Sequence, residues 1–320
     1  LYLSAVYDST NQKVVIAYKD YGNSQYGTAI VGTVSGTSIS FGSAVVFESA
    51  ATNHISTTFD STNGKVVIAY ADAANSSYGT AIVGTVSGTS ISFGTAVVFE
   101  SASTTHCSAV YDTSNEKVVI AYADGGNSQY GTAIVGTVSG TSISFGSAVV
   151  YESGSTAYNS AVYDSASGKV VIAYQDVSNS FYGTTIIGTV SGNSISFGSA
   201  VVFESAESNY VFTILYSNQE KIVVAYKDNG NSNYGTAVVI DPKTTNLTSD
   251  NYIGISAEAI ADGATGSITI VGGINTLQTG LTTATKLFVQ RDGTLSTTAG
   301  SPSVVAGRAV AATKLLISFA

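Results

Sequence analysis

Apolar and polar positions alternate in short runs over the first 240 residues, and the runs recur. KVVIAYKD at Lys13–Asp20 is followed by near-copies starting at Lys65, Lys117, Lys169 and Lys221, each 52 residues after the last. Nothing is inserted or lost between copies, so every unit should occupy an equivalent position with matching turns. Each unit predicts four strands. In the first unit these are a short strand ending at Asp8, KVVIAYKD itself, Tyr26–Val34 turning at Ser35-Gly36, and a long strand Ser38–Ser49 bent at Gly42. Their short connections favour an antiparallel meander.

In the second strand Val14, Ile16 and Tyr18 point one way and Val15 and Ala17 the other. Both sets are apolar, so neighbouring sheets are expected to cover both faces. Period, strand count and two-sided burial together predict an all-β fold: a β-propeller-like array of five four-stranded repeats, at about 1–52, 53–104, 105–156, 157–208 and 209–240. An open stack is the competing architecture. The fifth unit departs from the pattern at Asp241-Pro242, where its fourth strand is missing or replaced. Residues 246–320 predict a separate small C-terminal β domain that caps, attaches or assembles the repeats. It has β-like runs at Ser267–Val271 and Lys286–Gln290 and turns at Asp262-Gly263 and Asp292-Gly293. A brief helix is the alternative at Ala257–Gly263 and in the Ala-rich part of Ala306–Ala320.

Only 10% of residues are charged, which leaves Ser, Thr and Asn to face solvent. The net charge of -9 falls wholly within residues 1–240, where 7 basic side chains stand against 16 acidic ones. That field excludes a nucleic-acid partner and repels anionic membranes, yet it does not oppose neutral glycans. Cys107 is the only cysteine, so the chain can form no internal disulfide and no thiol-based zinc motif. No run of 18 apolar residues exists, and no membrane insertion as a helix is expected. The sequence opens on Leu1 rather than Met, which fits a processing site or a longer product.

Candidate chemistry lies in the repeated polar loops. Asp20, Asp72, Asp124, Asp176 and Asp228 close the second strands, and Asn23, Asn75, Asn127, Asn179 and Asn231 follow three residues later. Such a pair ties a turn by accepting backbone N–H groups, and glycan hydroxyls or calcium are the alternative partners. Tyr26, Tyr78, Tyr130, Tyr182 and Tyr234 open the third strands beside these loops, where a ring packs or stacks on a ligand. Together these residues form the candidate ligand-binding set; no catalytic residue, metal site or cofactor is expected. Asp8, Asp60, Asp112 and Asp164 end the first strands, with Tyr216 in their place in the fifth unit. The off-pattern acids Glu116, Glu207 and Glu220 fall in turns on this reading. His54 and His106 share a repeat position with Tyr2, Tyr158 and Tyr210; as members of different units they are not expected to converge on one metal ion. No nucleophile elbow, phosphate loop or H-E-x-x-H helix is present. Near-identical units also argue against one asymmetric catalytic cleft, so the chain reads as not an enzyme. Weak sites repeated on one scaffold gain strength when they engage a surface together.

YGTAIVGTVSGTSISFG at Tyr26–Gly42, copied from Tyr78 and from Tyr130, resembles repeats of marine bacteriophage tail-fibre or virion structural proteins. The run from Asn251 to Ile317 looks like the terminal module of the same proteins. The resemblance implies a virion or extracellular location and partners that are host cell-surface glycan or other virion proteins. It also implies a homo-oligomer, in many such fibres a trimer. Multivalent glycan recognition is the leading expectation, with a purely architectural subunit and a polysaccharide hydrolase on a propeller scaffold as alternatives.

Overall fold

The computed structural model describes residues 2–217, 221–242, 252, 254–258, 267–289, 294–299 and 304–318. The chain divides into two compact units, Leu1–Pro242 and Lys243–Ala320.

The first repeat contains β1 (Leu3–Asp8), β2 (Lys13–Asp20), β3 (Tyr26–Ser35), β4 (Ser38–Phe41) and β5 (Val45–Asp60). β1 pairs antiparallel with β2, and β2 with β3. The far edge of β3 takes β4 along one half and the start of β5 along the other. The expected fourth strand is therefore split at Gly42. A Cβ on Gly42 would lie 1.8 Å from the carbonyl oxygen of Thr89 in the next repeat, so only glycine lets the two backbones meet there. Gly94 meets Thr141 and Gly146 meets Asn193 in the same way.

β5 joins one repeat to the next. Its first half completes the first sheet, and its second half pairs with Lys65–Asp72 to begin the second sheet. Val97–Asp112, Val149–Asp164 and Val201–Tyr216 do the same for the later units. Each of these strands carries a bulge, such as the register shift between Asn53 and Ser56.

The hydrophobic core lies between the sheets. Val15, Ala17, Ala29, Val31 and Phe47 of the first unit pack on Val66, Ile68, Tyr70 and Ile82 of the second. Equivalent seams join the second unit to the third, the third to the fourth and the fourth to the fifth. A polar ladder supplements them. Ser56 Oγ accepts the Ala109 N–H, and Ser108 Oγ accepts that of Ala161, both at 2.9 Å.

The expected propeller-like ring does not form. Among the described residues β1 pairs only with β2, and the last strand, Tyr234–Ile240, only with Lys221–Asp228; no sheet closes. Burial shows why. In the three middle units every residue from the first Val to the Tyr of KVVIAY is buried. In the first unit Val14, Ile16 and Tyr18 remain only half-buried, and in the fifth Val223 is half-buried and Ala225 exposed. A closed ring would press these two faces together. Identical repeats specify the seam between neighbours, and nothing in a seam specifies an end.

In the C-terminal unit, strands Ile274–Asn275, Lys314–Ile317, Val304–Ala311, Lys286–Val289 and Leu295–Ser296 form one sheet in that order. Gly254–Ser256 pairs with Ile268–Ile270. Tyr252, Leu287, Val289, Val304, Ala306, Ala309, Leu315 and Ile317 form its core. The Ala-rich segment is thus strand rather than helix, with Ala306 and Ala309 turned inward. Most of the alternative helix at Ala257–Gly263, both expected turns of this unit and the fourth strand of the fifth repeat fall outside the described residues. No described helix is long and apolar enough to cross a membrane.

Candidate ligand site: an aromatic ladder across the repeats

The bulge in each long strand re-aims one side chain. His54, His106, Tyr158 and Tyr210 occupy it with φ of 50°, 52°, 51° and 52°, a left-handed conformation that costs a bulky residue energy. Their rings form a ladder. Centroids are 5.2 Å apart from His54 to His106, 5.2 Å from His106 to Tyr158 and 5.1 Å from Tyr158 to Tyr210. Tyr2, at the same repeat position, instead meets Tyr21 edge-on, with the Lys19 ammonium 5.0 Å from its ring centroid.

The expectation from the sequence concerned a shared metal ion only, and it did not anticipate this ring contact between His54 and His106. They do belong to different units, but at this edge of the array equivalent positions come within ring contact. Among the described residues no three His, Cys, Asp or Glu side chains converge as a metal site. Burial, aided at His54 by the neighbouring His106 and by Lys19, pushes both imidazoles down to about 4, so both are neutral at pH 7. Burial likewise pushes the Cys107 thiol up to about 12.

The ladder lines a pocket of about 330 Å³, together with Cys107, Asn159, Val211 and Phe212. That volume lies at the small end of ordinary ligand sites, which span about 300–1,000 Å³. The walls are mainly apolar, and no Lys or Arg is among them. Asn159 is only 8% exposed, and neither its amide nitrogen nor its amide oxygen has a hydrogen-bond partner; His54 Nδ1 is also unpartnered. Each such orphan costs about 1–3 kcal/mol, and all three are sealed from the open space of the pocket, with under 1 Å² of accessible surface each.

The loop residues singled out from the sequence lie elsewhere, and none of them lines this pocket. Asp20 Oδ1 accepts the Gly22 N–H at 2.9 Å, and Asp72, Asp124, Asp176 and Asp228 make matching bonds to Ala74, Gly126, Asn179 and Asn231. The Asn23 N–H reaches the Asp20 carbonyl at 3.1 Å, and Asn23 in turn accepts from the Tyr26 N–H at 2.9 Å. One carboxylate oxygen of each loop thus ties its own turn. In the second and third units the loop tightens into a single 3-10 turn at Ala73–Asn75 and Gly125–Asn127. Tyr26, Tyr78, Tyr130 and Tyr182 are half-buried, and Tyr234 is exposed. The buried Asp60 plays a comparable part, accepting the Thr62 and Asn63 N–H groups and the Asn63 side chain.

A second set of acids was missed. Tyr70 donates across the seam to Glu48 at 3.1 Å; Tyr122–Glu100, Tyr174–Glu152 and Tyr226–Glu204 repeat the contact at 3.1, 3.0 and 2.9 Å. Desolvation and the nearby Asp72 raise Glu48, and desolvation and Asp124 raise Glu100. The recurrence of Glu at the end of each fourth strand was the available signal. Glu207, expected in a turn, instead sits exposed on the strand Val201–Tyr216 and accepts the Asn209 amide; Glu116 is in a turn, and Glu220 is outside the described residues.

No known protein family matches the chain, and no curated protein matches its sequence. Similar solved structures include AofleA from Arthrobotrys oligospora, 8% identical with a TM-score of 0.46, where the match covers 71% of this chain and 65% of that one. They also include the Hadza microbial sialidase Hz136, 8% identical with a TM-score of 0.45, covering 70% of this chain and 52% of that one. The chain thus matches less than two thirds of the length of either. These are distant likenesses of β architecture and transfer no activity. Neither likeness tests the resemblance to phage tail-fibre and virion proteins. The expectation that the chain is not an enzyme is not upheld: the seams carry phenol–carboxylate pairs, and at Glu48 and Glu100 a second acid, Asp72 or Asp124, lies nearby.

Proposed function

We propose that this chain is a β-repeat scaffold that binds neutral carbohydrate, with recognition centred on the ladder pocket. The pocket itself carries the reading. A small, mainly apolar site walled by aromatic rings suits the C–H face of a sugar, with the Tyr158 and Tyr210 hydroxyls beside it for polar substituents. A net charge of -9 and a pocket without cations favour a neutral ligand over an anionic one. Titration of the chain with a panel of neutral mono- and oligosaccharides, followed by ligand-observed NMR, tests this. Binding that weakens about tenfold or more in Tyr158→Ala supports it, and no binding at millimolar sugar overturns it.

Hydrolysis of a bound glycan is a second reading, and the observation in its favour is the raised Glu48 and Glu100 beside Tyr70 and Tyr122. Release of reducing ends from a polysaccharide panel, abolished by Glu100→Gln, would establish it. Absence of release across the panel would remove it.

A further inference from the structure

The two open faces of the repeat array are the two halves of one seam. Where the second unit meets the third, the earlier sheet offers the small residues Val67, Ala69, Ala81 and Val83. The later sheet answers with Val118, Ile120, Tyr122 and Ile134. The fifth unit carries Val223, Ala225, Ala237 and Val239 at the small positions, the same residue types as in the first three units. No described sheet covers them: Ala225 and Ala237 are exposed, and Val239 is 62% exposed. The first unit keeps the other half. Its Val14, Ile16, Tyr18 and Val34 repeat Val66, Ile68, Tyr70 and Val86 of the second unit. The latter are buried against the first unit, whereas Val34 is 58% exposed.

We propose that the array associates head to tail, the open face of the fifth unit in one copy packing on the open face of the first unit in a second copy. A repeat array that stands alone ends on units with polar outer faces. Both ends of this array do the reverse and hold the apolar residues of a seam. Two fifth-unit faces set together would leave space between small side chains, and two first-unit faces would crowd tyrosine against tyrosine. Only the unlike pair reproduces the internal packing. Such a contact is heterologous, so each pair of chains keeps a free face at either end for a further copy. The joint is weaker than an inner seam. Phe47 and Glu48, which meet Tyr70 across the first seam, have no counterpart within residues 209–240. Phe212 stands where the serine of the polar ladder would be, and with Ile214 it adds exposed apolar surface in place of that bond. The association is therefore reversible, and the dilute chain stands single.

Sedimentation velocity on the full 320-residue chain, from about 1 to 100 µM, reads the association. The mass should rise with concentration from one chain, 32.6 kDa, to two chains and beyond. Val239→Asp places an unpaired charge in the fifth-unit face, and Val34→Asp does so in the first-unit face. Both positions are exposed, so neither change disturbs a core, and each variant alone should remain a single chain. Mixed in equal amounts, the two variants should form a two-chain complex that grows no further, because each supplies the face that the other has lost. Ala225→Asp with Ile39→Asp repeats the test on the same two faces. A parent chain that stays at 32.6 kDa throughout would overturn the proposal. Association of either variant alone would overturn it too, since like faces or another surface would then be responsible. So would a mixture in which both variants remain single while the parent chain assembles.

Discussion

The same six residues, KVVIAY, stand in the first unit and in the third, and they meet different surroundings. Tyr122 is fully buried, walled by the second unit and bonded to Glu100; Tyr18, its counterpart, lies half-buried on a face that no earlier unit covers. The strands are alike, so the difference comes from the neighbours. A repeat here is not a self-contained body with its own core. Each sheet contributes small residues to one seam and large residues to the next, and stability resides in the seams.

The largest expected effect tests that directly. Tyr122→Ala opens a cavity in a closed seam and removes the partner of Glu100, at a cost of about 3–5 kcal/mol. Tyr18→Ala should cost about 1 kcal/mol. Denaturant unfolding of the two variants, with hydrogen exchange resolving the units, gives the contrast. Equal costs would mean that the outer face of the first unit is covered in solution, and the comparison between middle and end would fail.

Much of the repeat was legible beforehand. An unbroken 52-residue period located the strands, and alternation in KVVIAY identified two buried faces. Closure was not legible, because every copy encodes contact with a neighbour and the pattern is the same whether the row bends into a ring or stops. The ladder was not legible either. Equal spacing along the chain placed His54 and His106 in different units, and the bulge that turns their rings together depends on a left-handed φ that neither residue type announces. Asn159 breaks the repeat, since His54 and His106 are followed by Ile55 and Cys107, yet without the ladder it had no pocket to belong to. The Asp and Asn columns were easier to read, as elements of turns.

The next effect compares the two halves of the ladder. His54 and His106 are held near pKa 4 by burial against an ordinary value of 6.5, and units four and five carry Tyr158 and Tyr210 in their place. The unfolded chain therefore binds more protons than the folded one between these values. Stability should be full above pH 6.5 and fall as the pH drops toward 4, by up to about 3 kcal/mol per imidazole. Melting temperature measured from pH 7 to pH 4 shows the loss. Replacing both histidines with Tyr, the residue that units four and five use, should flatten that part of the profile. A profile unchanged by the double replacement would assign the acid sensitivity to other groups.

The smallest effect concerns the polar ladder between sheets. Ser108 Oγ accepts the Ala161 N–H of the next unit at 2.9 Å, and Ser56 and Ser160 do the same at their seams. In the fifth unit this position is Phe212, which bonds no further sheet and stands exposed. Ser108→Ala leaves the Ala161 N–H without its acceptor and should cost about 1 kcal/mol. The loss should appear as faster exchange at Ala161 rather than across the whole array, because a single seam is weakened. Uniform acceleration in all five units would instead mean that the seams unfold as one, and middle and end units would then differ in burial but not in stability.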